Sequence, residues 1–178
     1  PVISHLQEEL KGMPLKWVGY LSTTGVYGDS KGEWVNESNM PKPKQDRSKR
    51  RLHCEEEWLD SGLPVQILRL PGIYGPGRSA LEIILSGKCK LIDKPGQIFS
   101  RIHVDDIAGA TMHLISLAAK GNMPKVINIA DNLPSTNVDV LRYAARLIKH
   151  ELPAIEPFEK ASKNMSPMAL SFWQENRR

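Results

Sequence analysis

Ser22, Thr23 and Thr24 follow directly on the apolar run 15–21 and stand just before Gly25. Hydroxyls at such a strand end do not face an apolar core cheaply, because an unpaired buried hydroxyl costs roughly 1–3 kcal/mol. They either cap a turn or hydrogen-bond a ligand oxygen. Tyr27, in Val26-Tyr-Gly28, continues that edge and adds a phenol able to stack and to donate. Two further segments run from a strand into a turn: Leu68-Arg-Leu-Pro-Gly-Ile-Tyr-Gly-Pro-Gly-Arg78 and Arg101-Ile-His-Val-Asp-Asp106. Open α/β sheets bind ligands just beyond the carboxyl ends of their strands. Three such ends in succession predict one composite site.

Other reactive side chains read more plainly. His103 leads from a strand into a helix and reads as structural. His53 and His113 lie on helices without paired carboxylates at ligand spacing, which argues against a metal site. Asp105 and Asp106 suit the cap of a helix over 106–119, where carboxylates satisfy free N–H groups. Glu55, Glu56 and Glu57 read as a solvated helix face. Cys54 and Cys89 are too few for a disulfide scaffold and fit a reduced, cytoplasmic setting.

The elements that must position these groups alternate along the chain. An amphipathic helix is predicted over 2–11, with Val2, Ile3, Leu6 and Leu10 near one face. A buried strand follows at 15–21, then a long polar loop at 29–46 anchored by Trp34 and Val35. A helix over 46–61 ends at Gly62, and a strand at 64–70 follows. A short helix at 79–86, a strand at 98–104, a helix at 106–119, a strand at 125–130 and a helix at 137–150 complete the pattern. Helix–strand alternation implies a parallel sheet covered on both faces. The predicted class is α/β, a Rossmann-like parallel sheet in one partial domain, 1–178, with substrate-lobe segments at about 72–100 and 151–178.

Composition excludes several functions. Of 178 residues, 40% are hydrophobic and 25% charged, as in ordinary soluble domains. No run approaches the length of a membrane helix, and the charged N-terminus does not read as a leader. The cluster Lys42, Lys44, Arg47, Lys49, Arg50 and Arg51 lacks interleaved aromatics, so it reads as a solvated loop and helix start and not as a nucleic-acid footprint.

Ser22-Thr-Thr-Gly-Val-Tyr-Gly28, Leu68-Arg-x-Pro-Gly-Ile-Tyr-Gly-Pro76, Ile102-His-Val-Asp-Asp-Ile-Ala108 and Val126-Ile-Asn-Ile-Ala130 with Pro134-Ser-Thr136 occur in that order. As a set they resemble the extended short-chain dehydrogenase/reductase family, which includes NAD-dependent epimerases and dehydratases. The resemblance implies a Rossmann domain for NAD(H) or NADP(H) and a small C-terminal substrate lobe. It puts Thr23 at the catalytic Ser/Thr position, polarising a substrate hydroxyl or carbonyl. Ser22, Thr23, Pro71, Gly72 and Ile73 would border the nicotinamide end of the cofactor. Tyr27, Tyr74, Arg78 and Arg101 would face the substrate, and pairing of helices would make a homo-oligomer.

Three departures qualify that resemblance. The family's proton-transfer Tyr and Lys positions fall on Ser48 and Leu52, which cannot act as that pair, with Lys49 and the nearby arginines facing elsewhere. The arginine that clamps a phosphate four residues before the motif histidine is replaced by Phe99. Arg101 sits two residues later, as a shifted phosphate clamp or in an ion pair with the Asp29 loop or another acid. The glycine-rich pyrophosphate loop is absent: Gly72, Gly75 and Gly77 are wrongly spaced, and Pro71 and Pro76 lack donors. The expectation is therefore the later part of an NAD(P)-dependent epimerase/dehydratase-like protein acting on a small-molecule substrate. The alternative is a non-catalytic nucleotide-binding or regulatory protein on the same fold. Alone, the chain is expected to bind no dinucleotide tightly.

Overall fold

A computed structural model describes residues 2–121 and 123–178. The placing of Val2 on a helix face lies outside the described side chains, as do Pro1 and Asn122. In chain order the elements are α1 (Val2–Lys11), β1 (Val18–Thr23), a 3-10 turn (Thr24–Tyr27), α2 (Asp46–Asp60), β2 (Val65–Leu70) and β3 (Gly72–Tyr74). Then come α3 (Ala80–Leu85), β4 (Ile92–Asp93), β5 (Arg101–His103), α4 (Val104–Ala118) and β6 (Val126–Asn128). The chain closes with α5 (Asn137–Ile148), β7 (Glu156–Pro157), α6 (Phe158–Ala161), a second 3-10 turn and α7 (Pro167–Trp173).

The main sheet is parallel and ordered β1-β2-β6, with Thr23 level with Leu70 and Arg69 level with Asn128. β2 lies in the middle and is buried from Gln66 to Leu70. Its Leu68 and Leu70 pack with Ile102, Ile107, Leu114 and Ile129, which binds α4 to one face of the sheet. A second parallel pair, β3 with β5, sets Gly72 beside Arg101 and Tyr74 beside His103. That pair carries two of the expected strand ends to one place.

Helix signals act locally. Ser79 and Glu82 form a reciprocal capping box on α3, and Thr136 accepts the N–H of Asp139 at 3.0 Å to start α5. At α4 the expectation needs correcting. The helix begins at Val104, two residues early, and His103 is its cap: its Nδ1 accepts the Asp105 N–H at 3.2 Å. Asp105 and Asp106 lie inside the first turn, where they favour the dipole without capping.

A second core joins α3 to α5 through Ile84, Leu91, Val138, Leu141, Ala144 and Ala145. The short β4–β7 pair ties residue 92 to residue 156. Segments expected to form a lobe, 72–100 and 151–178, thus meet around α5. No helix is long and apolar enough to cross a membrane among the described residues.

Candidate functional site

β1 runs to Thr23, two residues past its predicted end, and this decides which hydroxyl faces which way. Successive strand residues point to opposite faces. Ser22 therefore turns inward: it is buried and its hydroxyl donates to Glu55 Oε1. Thr23 turns the other way and caps the following 3-10 turn, its Oγ1 accepting the Gly25 N–H at 3.0 Å. With that lone pair engaged, the Thr23 O–H remains free to donate to a ligand oxygen.

A cavity of about 490 Å³ opens beside Thr23. Thr23, Thr24, Pro71, Gly72, Ile73, Tyr74, Arg78 and Arg101 all line it. Residues of all three segments singled out in the sequence meet there, but the third arrives through Arg101 at the start of β5 and not through its carboxyl end. Gly72 is exposed on it, and a Cβ at this position would touch only the Ser100 carbonyl at 3.4 Å and Arg101 Cγ at 3.9 Å. Its exposed backbone leaves a side free of a side chain on the cavity, where a flat ring such as a nicotinamide could approach closely. A pyrophosphate fits poorly. The Gly75 N–H already donates to the Arg78 carbonyl, and the Gly77 N–H to Glu82 Oε1 at 2.7 Å.

Two expected site residues lie elsewhere. Ser22 is in the buried network just described. Tyr27 is 5% exposed because the 3-10 turn rolls it inward; its hydroxyl donates to Asn128 Oδ1 at 2.9 Å. Arg69 stacks on its ring at 4.8 Å. Arg69 in turn grips Glu55 with two nitrogens, Nη2 to Oε2 at 2.6 Å and Nε to both oxygens at 3.2 Å. Glu55 is 1% exposed, so its placing on a solvated face is overturned. Burial works against the Arg69 cation, but its hydrogen bonds to Glu55 outweigh this and raise its pKa.

Arg101 does not pair with the Asp29 loop. Its Nη1 donates to the carbonyls of Phe99 at 2.9 Å and Ser135 at 3.3 Å, and it forms no ion pair among the described residues. Burial pushes its pKa down. The far end of the chain supplies groups that no sequence motif announced: Phe172, Trp173, Glu175 and Arg177 also line the cavity.

On α2, Ser48 is buried against the 3-10 turn, its Oγ 3.1 Å from where a Cβ on Gly25 would stand. A tyrosine there would collide with the turn. Leu52 is half-buried, and neither residue lines the cavity. Lys49 and the neighbouring arginines Arg47, Arg50 and Arg51 do not line it either. Arg51 donates to the Tyr20 hydroxyl at 3.0 Å and the Leu21 carbonyl, and Arg47 stacks on Phe172 at 4.1 Å.

Known proteins share this fold. No protein-family profile matches the chain. Protein YeeZ of Escherichia coli K12 is 33% identical over 136 residues, which cover 75% of this chain and 47% of YeeZ. A conserved protein of unknown function from Silicibacter pomeroyi is 41% identical with a TM-score of 0.90, over the whole of this chain and 62% of its own. A putative NAD-dependent epimerase/dehydratase from Methylobacillus flagellatus is 28% identical with a TM-score of 0.71, over 93% and 64%. The dTDP-glucose 4,6-dehydratase of Bacillus anthracis, solved with NAD, is 25% identical with a TM-score of 0.68, over 86% and 53%. The chain shares its α/β fold with these NAD-dependent epimerase/dehydratase structures, the family its motifs resemble. It spans about half the length of the curated relatives it matches. Within this short-chain dehydrogenase/reductase fold, the cavity sits beyond the carboxyl ends of β1, β2 and β3, where such sheets bind ligands.

Proposed function

We propose that the chain forms the substrate side and the nicotinamide end of a dinucleotide site in an NAD(P)-dependent epimerase/dehydratase-like protein acting on a hydroxyl or carbonyl compound. The gathering of Thr23, Gly72 and Arg101 around one cavity carries this reading. A bound nicotinamide would supply hydride acceptance and return. The chain's own work is to orient. Thr23 donates its hydroxyl to a substrate oxygen, Pro71 fixes the path of the backbone, and Gly72 lets that backbone approach a flat ring. Tyr74, Arg78 and Arg101 face the substrate end.

A second reading, a non-catalytic nucleotide-binding or regulatory protein, draws support from α2. Ser48 and Leu52 offer no proton carrier at the positions of the family's pair, and both are held away from the cavity. Retention of the binding surface with loss of proton transfer is the pattern such a protein would show. The pair's absence bears on turnover; the cavity bears on binding.

Both readings share a consequence. The backbone N–H groups near Gly75 and Gly77 are already engaged, so the pyrophosphate finds no cradle here. Calorimetric titration of the chain with NADH and NADPH is expected to show no saturable heat at micromolar concentrations. A micromolar dissociation constant would contradict this and require a phosphate site that the strand ends do not provide.

A further inference from the structure

The cavity contains two unmet polar demands of opposite sign. Arg101 is a half-buried cation with no ion-pair partner among the described residues; Asp131 acts on it only at longer range. Its Nη1 is fixed by two carbonyls, while Nε and Nη2 make no hydrogen bond among the described residues. Across the cavity, the side chain of Glu175 is only 5% exposed. Its Oε2 takes the Arg177 Nη1 at 2.8 Å, but its buried Oε1 has no partner. Arg177 is also anchored on the Gly28 carbonyl at 3.0 Å, so it is not free to satisfy both oxygens. Among the lining residues Arg78, Arg101 and Arg177 face one carboxylate, leaving net positive charge. A buried group without its partner is costly, and a ligand that supplies the partner recovers that cost.

We propose that this cavity binds a compact anion bearing a hydroxyl or ammonium donor, with Arg101 holding the carboxylate or phosphate and Glu175 accepting the donor. The proposal rests on the reading of this cavity as the substrate end and names the substrate class. At about 490 Å³ the cavity lies toward the small end of ligand sites. The nicotinamide border takes part of that volume, leaving room for a small hydroxy- or amino-substituted acid or phosphate. Trp173 and Phe99, edge to face at 5.1 Å, line the same cavity.

Glycerol 3-phosphate, inorganic phosphate and glycerol separate the two demands. Each is titrated into 15N-labelled chain while the indole N–H of Trp173 is followed. The Trp17 indole, bonded to Gln66 at 3.0 Å, is the internal control. Glycerol 3-phosphate is expected to shift Trp173 saturably and to bind about tenfold tighter than phosphate, with glycerol silent. Arg101→Gln should weaken both anions about tenfold or more. Arg101→Lys, which keeps the charge and loses the fork, should weaken them by at least about threefold. Glu175→Gln should remove most of the advantage of glycerol 3-phosphate and spare phosphate. No saturable shift, equal affinity for the two anions, or unchanged affinity in both Arg101 variants would overturn the proposal. Anion binding without any response of the Gly72 and Ile73 amides to NADH would remove the cofactor reading and leave this one standing.

Discussion

Glu55→Ala is expected to destabilise the protein by about 3–5 kcal/mol, because it leaves the Arg69 guanidinium buried and unpaired. Arg69 is 4% exposed and sits in the central strand, with no water-accessible route to a new partner. The loss also frees the Ser22 hydroxyl and loosens the stack on Tyr27, so α2, β1, β2 and β6 lose a common tie. Replacing both charges together, Glu55→Met with Arg69→Met, should cost much less than the single change, since no charge is then left behind. Urea unfolding followed by circular dichroism would measure both. A Glu55→Ala loss below about 1 kcal/mol would show that the ion pair is not closed in solution.

Gly28→Ala should be nearly as damaging, at roughly 2–5 kcal/mol. Gly28 has φ 74° and ψ −148°, a conformation that is essentially restricted to glycine. A Cβ there would also fall far inside contact distance of the Lys42 carbonyl oxygen. The backbone cannot relieve this locally. Its N–H is bound to the Gly25 carbonyl, and its own carbonyl accepts from Arg177. The residue is where the 3-10 turn, the 29–45 loop and the C-terminal segment meet. Thermal melting of Gly28→Ala would test this; an unchanged midpoint would mean that the junction rearranges freely.

How much of this was legible in the sequence depends on whether the signal was local. Pro71, Gly72, Ile73, Tyr74, Arg78 and Arg101 lie within strand-to-turn segments, and Thr23 sits at a strand end, so the segment pattern together with the family resemblance pointed to residues that line one cavity. Ser22 and Tyr27 failed for a backbone reason. Extending β1 by two residues reverses the sense of Ser22, and the 3-10 turn rotates Tyr27 into the core. Glu55 looked solvated because its helix is polar on nearly every face. The clue lay elsewhere: Arg69 stands among the apolar Ile67, Leu68 and Leu70 of the central strand, and a buried cation requires an acid. Glu175 and Arg177 come from a segment with no motif, more than seventy residues beyond Arg101, and only tertiary packing reveals them.

The central claim is that the ends of β1, β2 and β3 form the redox end of a dinucleotide site while its phosphate end lies outside these strands. Saturation-transfer NMR with NADH tests it atom by atom. Irradiation of the protein is expected to transfer magnetisation to the nicotinamide ring protons, weakly bound, and not to the adenine protons. Gly72→Leu, which fills the open face with a side chain, should abolish the transfer. Transfer centred on adenine, or nicotinamide transfer that survives Gly72→Leu, would contradict the account.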